Sequence, residues 1–237
     1  MIKAYLLMDY SLIDKALEAI FLLPSEIVPT HYGESDNKKA SKKLETSEFI
    51  KFKKKHTLGY ILFGANVSYA ISISPNDTVE ITLFTETIIE SSIIYEYVMS
   101  LATLGAFFGY ACEDSEYKHR NQVLATIKGN HIEAWVGRNI DQYVSGLYWV
   151  TFISYELKKK FNLNIDEFLA NAYKSQETEY GHILQFYDSP QSWESHQNEI
   201  DGLCQNSSGV FSKKEASSEL EPIDDVIKFF DVMHKHR

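Results

Sequence analysis

Apolar positions along this chain change spacing from segment to segment, and the spacing predicts the elements. Residues 2–8 read as a strand and 11–22 as a helix, with Leu12, Ala16, Ala19 and Leu23 at helical intervals, Ser11 as a cap and Pro24 as the stop. Residues 24–40 read as loop, and 44–53 as a short helix. Gly64-Ala65-Asn66 marks a hairpin turn between strands at 58–63 and 67–74, and Pro75-Asn76-Asp77 leads into a strand at 78–85. There Val79, Ile81 and Leu83 alternate with Glu80, Thr82 and Phe84, as in an antiparallel meander with one buried face.

Over 87–110 the period changes. Ile94, Val98, Leu101, Gly105 and Phe108 predict one long amphipathic helix lying across the sheet. Residues 112–130 are polar and read as irregular; a strand follows at 130–136. "YVSGLYWVTF" at 143–152 has Tyr148, Val150 and Phe152 on one side and Leu147, Trp149 and Thr151 on the other, the pattern of a buried strand. It leads into a helix whose last turn is rich in lysine, as a helix C-terminus prefers. Asp166–Tyr173 reads as a helix and 180–187 as a strand. A helix opened by Pro190 carries Trp193, Ile200 and Leu203, and a last helix over 222–230 starts at Pro222 with a stripe of Ile223, Val226, Ile227 and Phe230.

Short meandering strands with helices mainly on one face indicate an α+β fold. Length fits one domain spanning 1–237, with a division into two pseudo-similar halves near 112–128 left open. At 44% hydrophobic and 14% aromatic residues the chain can build a substantial core.

The net charge of −10 disfavours nonspecific binding to nucleic acid and suits a basic partner. Eight lysines crowd residues 38–55, while 56–117 contain no Lys or Arg and eight carboxylates. This distribution suggests an acidic face turned toward a basic protein. "MIKAYLLMDY" meets Asp9 too early for a signal peptide, and the apolar run 98–111 is too short to span a bilayer, so a cytoplasmic protein with no membrane partner is expected, peripheral contact being left open by the run length. Cys112 and Cys204 read as buried thiols.

No HExxH, GxxxxGK, GxSxG or CxxC occurs, and no cofactor or metal is expected. Gly105 and Gly109 form GxxxG inside the expected helix, where packing is the reading. Two clusters could carry enzyme chemistry: His119 beside Glu113, Asp114 and Glu116, and His31 in "THYGESD".

The segment "GNHIEAWVGRNIDQYVSGLYWVTFISYELK" at 129–158 has a strand, an Arg-Asn turn and "GLYW" entering a helix; a hairpin and a long helix ending in "FFGYACE" precede it. Over residues 55–205 this resembles the immunity proteins of bacterial polymorphic toxin systems. The resemblance implies a non-enzymatic module that binds and neutralises a cognate protein toxin. The lysine-rich segment 38–55 has no match in it. On that reading the contact surface draws on Glu86, Glu90, Glu96, Glu113, Asp114 and Glu116, with Tyr117, Trp135 and Trp193 as aromatic anchors. The alternatives are a hydrolase-like enzyme using His31 or His119, and a self-assembling subunit of a defence system, for which a homo-oligomer would be the form.

Overall fold

A computed structural model describes residues 1–221 and 223–237. The elements are β1 (Ile2–Asp9), α1 (Ile13–Phe21), β2 (His31–Gly33), β3 (Lys42–Lys43), α2 (Thr46–Lys55), β4 (Gly59–Phe63), β5 (Val67–Ile73), β6 (Thr78–Thr85) and α3 (Ser91–Ala102). Then come β7 (Phe108–Glu113), α4 (Asp114–Asn121), β8 (Gln122–Ile127), β9 (Asn130–Trp135), β10 (Val150–Ser154), α5 (Tyr155–Phe161) and α6 (Ile165–Asn171). The chain ends with β11 (Lys174–Glu177), β12 (Gly181–Gln185), α7 (Trp193–Asn206), α8 (Lys213–Leu220) and α9 (Val226–Lys235).

The fold is α+β. Ten strands form one antiparallel sheet in the order β11-β12-β10-β7-β1-β6-β5-β4-β2-β3, and β8 and β9 form a separate hairpin. The sheet runs unbroken through both halves of the chain, and β1 pairs with β7 at its centre. Residues 112–128 contain the end of β7, all of α4 and all of β8.

Side-chain alternation sorts the two faces. Ala4 opposes Leu83, and Leu83 opposes Tyr69, whose ring packs edge-on against Tyr97 of α3. On this face Phe49 of α2 meets Phe21 of α1, Tyr32 and Tyr60. The other face carries Tyr5 and Tyr110, which stack on each other, and Tyr110 stacks in turn on Tyr117 of α4. Helices α1–α3 therefore cover one face, and α4 sits on the other beside β7. The expected β6 alternation is observed: Val79, Ile81 and Leu83 are buried, while Glu80 and Phe84 are exposed. A smaller core joins Val123, Ala125 and Ile127 of β8 to Phe211, Ala216, Leu220 and Phe229.

Several expectations are corrected. The helix expected over 87–110 ends at Ala102, and 108–113 is the central strand β7. The turn after the helix closes at Gly105, which takes φ +100° and donates its N–H to the Ala102 carbonyl. β7 is buried on both faces, so its apolar run lacks the alternation that identifies a strand. Gly109 lies in that strand, where a Cβ would come within 3.0 Å of Leu6, so the GxxxG spacing belongs to a turn and a strand.

The polar stretch 112–130 is ordered as α4 and β8, closed by Lys128-Gly129 with positive φ at both residues, as a tight hairpin turn requires. The expected loop 24–40 contains β2, and "GLYW" enters the strand β10 rather than a helix. Ser11 lies in a 3-10 turn where its N–H donates to the Asp9 carboxylate at 2.8 Å, and α1 begins at Ile13. The stripe expected on the last helix is turned outward: Val226, Ile227 and Phe230 are exposed and Phe229 is buried. Pro222 lies outside the described residues.

Candidate functional site

The acidic residues expected to meet a partner separate into two groups, and one group lines a groove. Helix α3 packs on β1, β7, β10 and β12, and between its outer side and the β12 end of the sheet lies a cavity of about 770 Å³. Tyr95 and Met99 of α3 and Trp149, just before β10, give it apolar walls. Glu90, Glu96 and Asp188 stand around it, and Lys174 is the one cation among the described residues of its lining. Lys174 places its ammonium 4.7 Å from the centre of the Tyr95 ring. None of these three carboxylates has an ion-pair partner among the described residues; Glu90 accepts from Ser92 at 2.7 Å and Asp188 from Ser192 at 2.8 Å. The Tyr95 hydroxyl and the Trp149 indole N–H are buried without a hydrogen-bond partner among the described residues. Such groups are costly when unsatisfied, which makes this wall unusual in composition.

Glu86 lies just beyond β6, exposed, 3.7 Å from Lys38 of the lysine-rich segment. Ile88, two residues on, is almost wholly exposed, at 95%. Segment 38–55 forms β3 and α2, and its lysines are partly spent on the chain itself, Lys53 pairing with Asp14 and Lys51 with Glu48.

The second group lies around α4: Glu113 and Asp114 are partly exposed and locally paired, and Glu116 is internal. Glu113 accepts from Ser115, and Asp114 pairs with Lys118 at 2.6 Å. Glu116 is fully buried, with the Arg120 Nε 3.1 Å away. Arg120 reaches on to Asp201 of α7 at 2.5 Å. Burial works against the Arg120 charge, but Glu116, Cys204, Tyr187 and Asp201 outweigh it and hold the guanidinium protonated. Burial pushes the Glu116 carboxyl up, and Arg120 limits the rise. Arg120 thus ties α4 to α7, and Glu116 beneath it offers no surface charge.

The expected aromatic anchors are placed in the same way. Tyr117 is buried between Tyr110 and Trp135, Trp135 is half-buried on the Tyr117 ring at 5.4 Å, and Trp193 is buried and donates to Ser115 at 3.0 Å. Tyr148 and Trp149 are almost completely buried, so "YVSGLYWVTF" is core.

The enzymatic alternatives change partners. His119 contacts none of Glu113, Asp114 or Glu116; its Nε2 lies 2.8 Å from Asp201, which is distant in sequence. His31 sits in β2 near the sheet edge, with Nδ1 2.9 Å from its neighbour Thr30, and Glu34 pairs with His56 instead. The thiols of Cys112 and Cys204 are buried and their pKa values are raised by burial, which makes them poor nucleophiles. Among the described residues no three His, Cys, Asp or Glu side chains are grouped to hold a metal ion. No described helix is long and apolar enough to cross a membrane.

Asp188 and Lys174 were not expected at a site. Lys174 opens β11, whose pairing with β12 sets it opposite Gln185, and Asp188 follows β12 by three residues. No family model, no curated protein and no solved structure matches the chain.

Proposed function

We propose that this protein is a non-enzymatic binding module, of the kind that holds and neutralises a basic protein toxin, and that the α3 groove is its contact surface. The observation that supports this reading is the set of three carboxylates without ion-pair partners around an apolar-walled groove. Carboxylates on a rim steer a cationic partner and set its register, and aromatic walls such as Tyr95 supply buried area.

The test is reversal of the rim. The variant Glu90→Lys, Glu96→Lys, Asp188→Lys is expected to bind its partner roughly 100-fold more weakly and with a flatter dependence on salt. The wild type, tagged and expressed in its native host, would be used to recover that partner. The partner would then be expressed alone to measure its toxicity, and together with each form to measure protection. Protection by the wild type and its loss with the triple variant would support the reading. Equal protection by both forms would remove the groove from it, and a partner that is harmless alone would remove the toxin.

A further inference from the structure

A second cavity, on the opposite face of the sheet, has the opposite electrostatic character. It encloses about 760 Å³ between β1, β6 and β7 on one side and the segment 138–141 on the other. Lys3 rises from β1 into its lining, and Arg138 and Arg237 close it from above. The arginines are held close together by the backbone. Gly137 N–H donates to the His236 carbonyl at 2.8 Å, Asn139 N–H donates to the Arg237 carbonyl at 2.9 Å, and the Tyr143 hydroxyl donates to the same oxygen at 2.7 Å.

These three cations sit on a protein of net charge −10, and none has an ion-pair partner among the described residues. The Lys3 ammonium instead lies 3.5 Å from the centre of the Tyr117 ring, a contact that leaves its hydrogen-bonding capacity unused. Two carboxylates share the lining. Asp141 is already paired with Lys160 at 3.1 Å, so Glu80 is the one that offsets the cations. Counted by side chains, the three cations outnumber Glu80 and the paired Asp141, so the cavity keeps a positive excess suited to the anionic charge of a phosphate monoester. Arginine forks and a lysine point charge are the side chains that bind phosphate oxygens well. The tyrosine rings beneath them offer a surface for the organic part of such a molecule.

We propose that this cavity binds a small phosphate monoester, with Lys3, Arg138 and Arg237 on the phosphate. The proposal is independent of the α3 groove, which lies on the other face of the sheet. Burial, reinforced by the nearby Arg138 charge and partly offset by Cys112, Asp114 and Glu80, lowers the Lys3 pKa to about 8. A lysine kept charged at that cost is better matched when an anion is bound.

The experiment is calorimetric titration of the full chain with phenyl phosphate at fixed ionic strength, with phenol as the uncharged control. The wild type is expected to bind phenyl phosphate saturably and one to one, and phenol not at all. Arg138→Ala removes an exposed side chain and should leave the fold intact while weakening binding at least tenfold. Lys3→Met should abolish binding yet raise the melting temperature, because it removes a poorly solvated charge; a residue with only a structural role would lower both. Absence of saturable binding to the wild type overturns the proposal, as does equal affinity in wild type and Arg138→Ala.

Discussion

Replacing Arg120 with alanine is expected to cost about 3–5 kcal/mol of folding stability, because it strips the counter-charge from a buried carboxylate. Glu116 is fully buried and Arg120 nearly so. The guanidinium spans Glu116 on its own helix and Asp201 on α7, so the change also removes one link between α4 and α7, leaving those from His119 to Asp201 and from Trp193 to Ser115. Equilibrium urea denaturation would measure the loss, and a loss under 1 kcal/mol would show that the network does not hold the helices together. Replacing the pair together, Glu116→Gln with Arg120→Met, is expected to recover much of the stability, since no uncompensated charge is then left inside.

The same variant carries a pH signature. The Glu116 carboxyl already titrates above its ordinary range through burial, with Arg120 opposing the shift. Without Arg120 the shift grows. The folded state then holds a proton that the unfolded chain gives up, so stability falls as pH rises and recovers as pH is lowered from 7 toward the ordinary carboxyl range. A variant whose deficit is constant between pH 5 and 7 would count against Glu116 as the source.

Phe152→Ala is expected to destabilise by about 3–5 kcal/mol for a different reason, the cavity left in a close-packed interior. Phe152 is fully buried in β10, opposite Gly109 of β7 and Ile183 of β12. Its neighbours are backbone-paired strands, which cannot collapse into the space. Phe152→Leu keeps much of the volume and should cost less than roughly half as much. Comparable losses for the two variants would mean that ring shape, not volume, determines the site.

Much of the fold is legible in the sequence where the local pattern has one reading. Val79, Ile81 and Leu83 alternate with polar neighbours, and their strand lies where that alternation puts it. The hairpin turns before β5 and β6 follow from glycine, asparagine and proline chemistry. Where both faces of an element are buried, the signal disappears. Phe108–Cys112 is an unbroken apolar run, compatible with a helix continuing from α3, and only its place between β1 and β10 makes it a strand.

The candidate site divides along the same line. Glu90 and Glu96 sit on the rim of a groove, and their availability could be read from a long stretch without Lys or Arg. Glu116, Tyr117 and Trp193 have equally suggestive sequence contexts and are interior. Composition reports how many charges and rings a chain has, but not which face of a short helix meets α7. Asp201 illustrates this: it comes from 81 residues beyond Arg120 to complete the network.

The sequence by itself determined the class of the protein: an antiparallel sheet with covering helices, an aromatic core through residues 147–152, and an acidic excess without a catalytic motif. Those properties depend on local spacing and on totals, which a chain carries before it folds. Only the tertiary structure decided which charges stay in water, which pair inside, and which cations line one cavity with Tyr117. Each of those outcomes depends on distances of a few ångströms between residues far apart along the chain, and electrostatic energy at that range is set by position and burial rather than by sequence neighbours.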